Sequence, residues 1–149
     1  MQKKSPRHLA RSLAVQGVYH HKLNQNSIME IEHYLANSET GLYSKANYDL
    51  MHYLLEQSIN QFKAMLERYQ PYLQRELHDI NLIEQIILVI AAIELINNLN
   101  VPAAVVINEA VELAKLYGAG ESYKFINGLV DKLANEARAD EIKHSAKAR

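Results

Sequence analysis

LIEQIILVIAAIELINNL, residues 82–99, would carry apolar side chains on every face of a helix. Such a helix must be surrounded by other elements, so the stretch predicts a central core helix. Asn81 with Glu84 forms a capping-box pattern at its start, and the Asn-rich turn before Pro102 ends it. Glu84, Glu94 and the following asparagines leave the uncharged run too short to span a bilayer, so we expect no membrane-spanning segment.

Cysteine is absent from the sequence, which excludes disulfides, thiolate zinc sites and cysteine nucleophiles. The absence is also compatible with a reducing cytoplasm. The basic start is not followed by the apolar segment of a signal peptide, and we therefore expect a cytoplasmic protein. The 149 residues suit one domain, or one domain of two subdomains, that buries about 68 to 70% of its unfolded surface.

The formal charge of -1 conceals an uneven distribution of charge. All 17 acidic residues lie between Glu30 and Glu141, whereas half of the 16 lysines and arginines lie outside the acidic body. These terminal cations are Lys3, Lys4, Arg7, Arg11, Lys22, Lys143, Lys147 and Arg149. Basic ends on an acidic body favour a polyanionic partner, although charged termini can also serve only solubility.

The first helix is predicted to begin with Ser5 as its N-cap and Pro6 at its first position, and to run for about four to five turns. Helical periodicity places four cations on its solvent side: Lys4, Arg7, Arg11 and Lys22. Cations repel one another there and oppose the helix dipole, so their presence favours binding of phosphates. His8 and Tyr19 flank them and offer rings to an unstacked base. The alternative is an ordinary solvated surface.

Further helices follow along the chain. Ser27 with Glu30 predicts the start of a second helix. Apolar steps of three and four predict a third helix over about 45–69 that Pro71 ends, with a short helix after it. After the core helix we predict another that ends near residue 118.

The stretch 121–135 fits two structures. Asn127-Gly128 could form a two-residue hairpin turn, whereas the four-residue spacing of Phe125, Leu129 and Leu133 favours a helix. A lone hairpin would be marginally stable. We therefore predict a helix, in which the glycine would allow close helix packing.

No catalytic arrangement is evident. Glu109 and Glu112 lie one turn apart, but no histidine follows at metal-ligand spacing, so a solvated helix face explains them better. The run 118–120 has two glycines after a helix, not the three-glycine loop after a strand that binds dinucleotides. We therefore predict that the chain is not an enzyme and needs no cofactor and no metal.

The run VPAAVVINEAVELAKLYGAGESYKFINGLVDKLA, residues 101–134, resembles the C-terminal signature of the NusB family of transcription antitermination factors. Two blocks carry the match, 107–110 and 124–128. ILVIAAIEL at 87–95 is similar to the central helix of that family. The first helix is similar as well, at Ala10, Arg11, Ala14, Val15, Gln16 and Tyr19.

The resemblance implies an all-α fold of two three-helix subdomains packed orthogonally around a buried central helix. We accordingly predict subdomains over about 1–70 and 71–138 and a flexible basic tail over 139–149. The resemblance also implies a function: with the ribosomal protein NusE, such a factor binds the single-stranded boxA element of nascent ribosomal RNA. It acts in the antitermination complex of RNA polymerase, which then reads through terminators.

The resemblance implies RNA contacts for Arg7, Arg11, Tyr19, Glu121, Lys124 and Phe125. The basic start of the chain adds Lys3, Lys4 and His8 to the predicted RNA-binding residues. Many family members have three consecutive arginines where this chain has Arg7, His8 and Leu9. We therefore expect either a lower RNA affinity or a larger share of the contact for Lys3 and Lys4.

The implied partner-binding residues are Tyr72, Arg75, Glu76 and Glu84. Glu84 has two interpretations, an exposed charge that faces the basic NusE or a cap partner of Asn81. Val89 and Ile93 replace the usual Arg and Tyr of the central helix, which bears on the surface beside which NusE docks.

Two other functions stay open from the sequence. The chain could be a stand-alone relative of the NusB-like domain of ribosomal RNA cytosine methyltransferases, although it has no methyltransferase motif. It could also be a helical protein–protein assembly module without an RNA role. Whether it forms a homodimer is left open.

Overall fold

The structure, a computed structural model, describes residues 4–147, with side chains up to residue 144. Within that range every regular element is helical, which confirms the predicted all-α class. The chain divides into two compact units, Met1–Phe62 and Lys63–Arg149. The division lies nearer the N-terminus than the predicted boundary at residue 70.

The first unit holds α1 (Pro6–Asn24), α2 (Ile28–Ala36) and α3 (Tyr48–Asn60), and α4 (Phe62–Glu67) begins at its end. The second unit continues with α5 (Leu82–Asn97), α6 (Ala103–Tyr117), α7 (Ser122–Ala137) and α8 (Ala139–Lys147). In the described range, a single turn of 3-10 helix at Tyr43–Lys45 lies between α2 and α3, and two more, at Gln70–Tyr72 and Leu77–Asp79, lie between α4 and α5. The helix chosen over a hairpin at 121–135 is confirmed as α7.

The predicted caps form in the first unit. The Ser5 hydroxyl accepts a hydrogen bond from the His8 amide at 3.1 Å, with Pro6 at the first helical position. Ser27 and Glu30 make both bonds of a capping box at α2. The α1 helix packs against α2 and α3, and a Cβ on Gly17 would lie 2.7 Å from a Leu55 methyl group. Glycine is therefore what allows this close approach.

The helix predicted over 45–69 is interrupted. Gln61, with φ of -118° and ψ of 20°, separates α3 from α4. The apolar spacing continues across this break, which is why the sequence did not reveal it. The predicted short helix before α5 is replaced by the single turns at Gln70–Tyr72 and Leu77–Asp79.

The prediction of a core helix is confirmed by α5. Every residue from Ile86 to Leu95 is buried, and α5 packs against α6 and α7 within the second unit. Tyr69 is fully buried, and its hydroxyl donates to the Leu88 carbonyl at 2.7 Å. A buried hydroxyl requires such a partner, so this bond allows an aromatic ring to fill the core.

The buried Arg138, just after α7, satisfies the end of α5. Its guanidinium donates to three carbonyl oxygens, those of Glu94 at 3.0 Å, Leu95 at 2.7 Å and Asn98 at 3.1 Å. Its remaining nitrogen bonds the Glu141 carboxylate at 2.7 Å, and that carboxylate also accepts from the Ala103 amide at the start of α6. One ion pair thus caps α5 and α6 at once.

This ion pair accounts for a difference from the sequence analysis. A flexible tail was predicted over 139–149, whereas Ala139–Lys147 form α8. Asp140 and Glu141 lie in its first turn, where acidic side chains favour a helix, and Glu141 is held by Arg138 and Ala103. Its first turn is therefore held by contacts that local sequence patterns do not reveal.

We expect Arg138→Ala to lower the free energy of unfolding by about 3 kcal/mol, because it leaves buried carbonyls at the end of α5 without a donor. Urea denaturation followed by circular dichroism measures the change. Lys132→Ala, which removes an exposed cation from the same region, is the matched control and should stay within about 0.5 kcal/mol of wild type. Equal stability of the two variants would contradict this role of Arg138.

We also expect the stability of the first unit to depend on pH through His52. Its Nδ1 lies 2.5 Å from a Glu32 oxygen and its Nε2 lies 3.2 Å from a Glu56 oxygen, and the hydrogen bond to Glu32 is the main cause that raises the pKa of His52. A raised pKa favours the protonated ring in the folded state. Its stabilisation is therefore complete below the unfolded pKa of about 6.5 and is lost as pH rises through the folded pKa.

The measurement is the difference in unfolding free energy between wild type and His52→Gln across that pH range. The difference should be largest at acidic pH and shrink at alkaline pH. His33→Gln, which removes a ring that lies beside the Asn37 amide instead of a carboxylate, is the control. A difference for His52→Gln that stays constant with pH would contradict the assignment.

Candidate RNA and partner interface

The predicted cationic face of α1 is smaller than its periodicity indicated. Lys4 and Arg7 are exposed, whereas His8 is only 7% exposed and Arg11 only 2%. Both buried side chains have interaction partners within the chain. The prediction that Arg11 lies on the solvent side was therefore wrong.

The reason lies in the burial of α1 as a whole. Every residue from His8 to Val15 is buried, so this part of the helix has no solvent face. Periodicity identifies the side with the most apolar residues, but it does not reveal that the opposite side is also covered. A guanidinium buried there requires a polar partner, and Arg11 does have an interaction partner.

Lys22 and Tyr19 lie farther along the same helix. The Lys22 ammonium lies 3.6 Å from the centre of the Phe62 ring, and burial lowers the pKa of Lys22. Tyr19 is 39% exposed. Arg7 and Tyr19 are separated by roughly 18 Å along the helix axis, so a ligand that contacts both must be extended. Lys3, also predicted to bind RNA, lies outside the described residues.

In the second unit, an open groove of about 670 Å³ lies beside the start of α7. The segment 72–75, the start of α5, the turn before α7 and α7 itself form its walls. Six of the predicted site residues line it: Tyr72, Arg75, Glu84, Glu121, Lys124 and Phe125. We name it the α7 groove. The residues predicted for RNA and those predicted for a protein partner are thus adjacent in this unit.

A direct contact joins the two predicted sets. The Arg75 guanidinium carbon lies 4.4 Å from the centre of the Phe125 ring, which is cation–π geometry. The Lys124 ammonium lies 2.9 Å from a Glu121 carboxylate oxygen, in an exposed pair. Exposed pairs of this kind contribute little, so a phosphate can compete for Lys124.

Glu84 has a different role from either interpretation based on the sequence. It is only 7% exposed, and its Oε2 accepts a hydrogen bond from the Ser122 hydroxyl at 2.7 Å. The Asn81 side chain does cap the Glu84 amide at 2.9 Å, but Glu84 gives its carboxylate to Ser122. A buried carboxylate at the first residue of α7 also interacts favourably with the dipole of that helix. Glu84 therefore anchors α7 to α5.

The other predicted partner residues differ in exposure. Glu76 is exposed and lies outside the lining of the α7 groove. The Tyr72 hydroxyl donates to Glu136, and this bond is the main cause that raises the pKa of Tyr72. Val89 and Ile93, which depart from the family pattern, are both fully buried. Their side chains therefore belong to the core and do not form a docking surface.

Several residues of the α7 groove were not predicted from the sequence, and one glycine has a different place from the one expected. Gln74 and Lys132 line the α7 groove, and Lys132 could have been found because it lies two helical turns after Phe125. Gly128 was expected to allow close helix packing. It is exposed in the groove, and a Cβ there would meet nothing within 4 Å. That interpretation of Gly128 was wrong.

Comparison with known proteins identifies the family of the chain. The sequence profile of the NusB family matches residues 8–135. The chain belongs to the NusB family. It is 37% identical over 142 residues to a transcription antitermination protein NusB of Aromatoleum aromaticum, covering 95% of this chain and 97% of that protein. It is 39% identical over 139 residues to the NusB of Ralstonia pickettii, covering 93% and 88%.

A solved NusB structure from T. maritima has the same fold, with a TM-score of 0.75 at 24% sequence identity, covering 95% of this chain and 99% of that one. The names of the NusB relatives describe regulation of transcription and no catalysed reaction, which agrees with the prediction that the chain is not an enzyme. Among the helices in the described range, none is long and apolar enough to cross a membrane.

We expect Glu84→Lys to lower the free energy of unfolding by about 3 kcal/mol, because it places an unpaired cation at a buried position beside the N-terminus of α7. Glu84→Gln retains an oxygen that can accept from Ser122 and should cost about 1 kcal/mol. Chemical denaturation measures both. Glu76→Lys reverses an exposed charge nearby and should change stability by less than about 0.5 kcal/mol. A Glu84→Lys protein as stable as wild type would refute the anchoring role.

Proposed function

We propose that this NusB family member binds RNA and acts in transcription antitermination. In this proposal it binds the boxA element of nascent ribosomal RNA together with NusE, and RNA polymerase then reads through terminators. The observation that carries the proposal is the α7 groove, where Lys124 and the Phe125 ring lie side by side next to Arg75. Proteins commonly bind single-stranded RNA with exposed cations, which contact phosphates, beside an aromatic ring, on which a base stacks.

Each group has a distinct role in the proposal. Lys124 neutralises a phosphate, and Phe125 offers a ring to an unstacked base. On α1, Arg7, Lys4 and the undescribed Lys3 bind phosphates, and Tyr19 provides a second ring. His8 and Arg11 have little exposed surface, so we assign them to the support of α1 and not to RNA contact.

The partner surface is proposed around the two 3-10 turns that precede α5. Glu76 is exposed there and can attract a basic ribosomal protein such as NusE. Tyr72 and Arg75 lie on the adjoining wall of the α7 groove, so the partner and the RNA would be neighbours. Glu84 contributes indirectly, by fixing the start of α7 through Ser122.

The test is a titration of boxA RNA at several salt concentrations. Arg7→Ala and Lys124→Ala should each make the log–log salt slope shallower by about 0.7, because each removes one phosphate contact. Phe125→Ala should weaken binding by about 1 to 3 kcal/mol and leave the slope nearly unchanged, because stacking releases no counterion. The exposed Lys63, which lines neither described groove, is the matched control: Lys63→Ala should bind as wild type does.

Repeating the titration with NusE present tests the partner role. Glu76→Lys should weaken RNA binding only when NusE is present, since it removes a charge from the proposed partner surface. Wild-type protein that binds NusE but no boxA RNA at any salt concentration would instead favour an assembly module without an RNA role.

A further inference from the structure

A second groove, of about 510 Å³, lies between α6 and α7. Its apolar lining comes from α6, at Ala104, Ile107 and Val111. Its polar lining consists of Asn108 and Lys115 from α6 and Tyr123, Lys124 and Asn127 from α7. We name it the amide groove, after its two asparagines.

The two amides are available to a ligand. Asn108 and Asn127 are exposed, and neither side chain has a hydrogen-bond partner among the residues that the structure describes. They belong to two different signature blocks, 107–110 and 124–128, which the fold brings to one groove. Each amide offers a donor next to an acceptor, which matches the donor and acceptor pairs on the edges of nucleobases.

The charge of the amide groove favours an anionic ligand. Two lysines line it and no carboxylate does. Lys115 and Lys124 do have carboxylate neighbours, at 3.9 Å and 2.9 Å, but both are exposed pairs of residues three positions apart. Since such pairs contribute little in water, a phosphate group can replace them. An apolar lining edged by amides and cations therefore suits a base and its flanking phosphates better than an apolar protein segment.

Lys124 connects the two grooves of the second unit. It lines both the α7 groove and the amide groove. Phe125, which follows it, faces the first groove, and Tyr123, which precedes it, faces the second. A strand whose base stacks on Phe125 would therefore pass Lys124 before it reaches Asn127. This continuity makes the same RNA the expected occupant of both.

We propose that the amide groove reads one unpaired base of the bound RNA through Asn108 and Asn127, with Lys115 and Lys124 on the adjacent phosphates. This inference rests on the proposed function and adds a source of sequence discrimination to it. Phosphate contacts carry no sequence information, and stacking tolerates every base. Hydrogen bonds from an amide to a base edge do distinguish one base from another.

The experiment measures the affinity of wild type for boxA RNA and for copies of it with one base changed at a time. At the position that is read, wild type should lose roughly tenfold in affinity, whereas Asn108→Ala and Asn127→Ala should lose less than about twofold. The salt slope of both variants should equal that of wild type, since a neutral amide releases no counterion. Lys115→Ala should have the opposite effect: the salt slope should become shallower, and the discrimination between bases should stay as in wild type.

Asn135→Ala is the matched control, because Asn135 is also an exposed asparagine of α7 but its amide donates to the Asp131 carbonyl at 2.9 Å. Alanine is the better helix former, so all three asparagine variants should fold, as thermal unfolding will check. Wild-type discrimination retained in both Asn108→Ala and Asn127→Ala would overturn the inference and leave the proposed function intact. A wild type that binds no RNA would overturn both.

Two further results would assign the amide groove to another ligand and so overturn the inference. One is a loss of NusE affinity in the asparagine variants with base discrimination unchanged, which indicates a protein segment. The other is a free nucleoside monophosphate that binds wild type more tightly than the RNA does and loses affinity in the variants, which indicates a nucleotide site.

Discussion

The Arg138–Glu141 ion pair is the constraint on which the second unit depends. The last turn of α5 lies in a mostly apolar core, and the burial that stabilises this helix also excludes water from its last carbonyls. Arg138 donates to two of those carbonyls and to the carbonyl of Asn98, just past the helix, and the second oxygen of Glu141 accepts from the first amide of α6. The turn between α5 and α6 and the start of α8 therefore follow from one pair of charges.

The same pair determines the position of α7. At its C-terminal end α7 is tied to α5 through Arg138, and at its N-terminal end through the bond from Ser122 to Glu84. A helix fixed at both ends presents its intervening side chains in fixed directions. Phe125 and Lys132 consequently face the α7 groove, while Tyr123 and Asn127 face the amide groove. Buried polar contacts thus position exposed groups.

Local signals in the sequence predicted most of the helices and little of their polar contacts. The core helix, the caps at Ser5 and Ser27 and the choice of a helix at 121–135 all depend on residues within a few positions of one another. Glu84 and Ser122 are 38 residues apart, and Arg138 and Leu95 are 43 apart. No pattern of period 3.6 encodes contacts at such separations, which is why the roles of Glu84 and the residues after 138 were misjudged.

Arg11, in the first unit, shows the same limit of prediction from helical periodicity. Its place opposite the apolar stripe of α1 predicted a solvent-facing cation, yet the helix is buried on all sides there. The predicted exposure of Lys4 and Arg7, at the start of α1, does agree with the structure.

The exposed cations and the exposed amides have different roles in the proposed RNA binding. Cations at the start of α1 and at Lys124 can supply affinity and salt dependence, but a point charge on a flexible stem does not discriminate among bases. Discrimination requires a donor and an acceptor presented together at a defined place, as the side-chain amide of asparagine does. In this chain Asn108 and Asn127 lie on α6 and α7, the two helices whose ends Glu141 and Arg138 hold in place. In the proposed reading of a base, the buried ion pair therefore acts by positioning the helices that carry the residues that would touch the RNA.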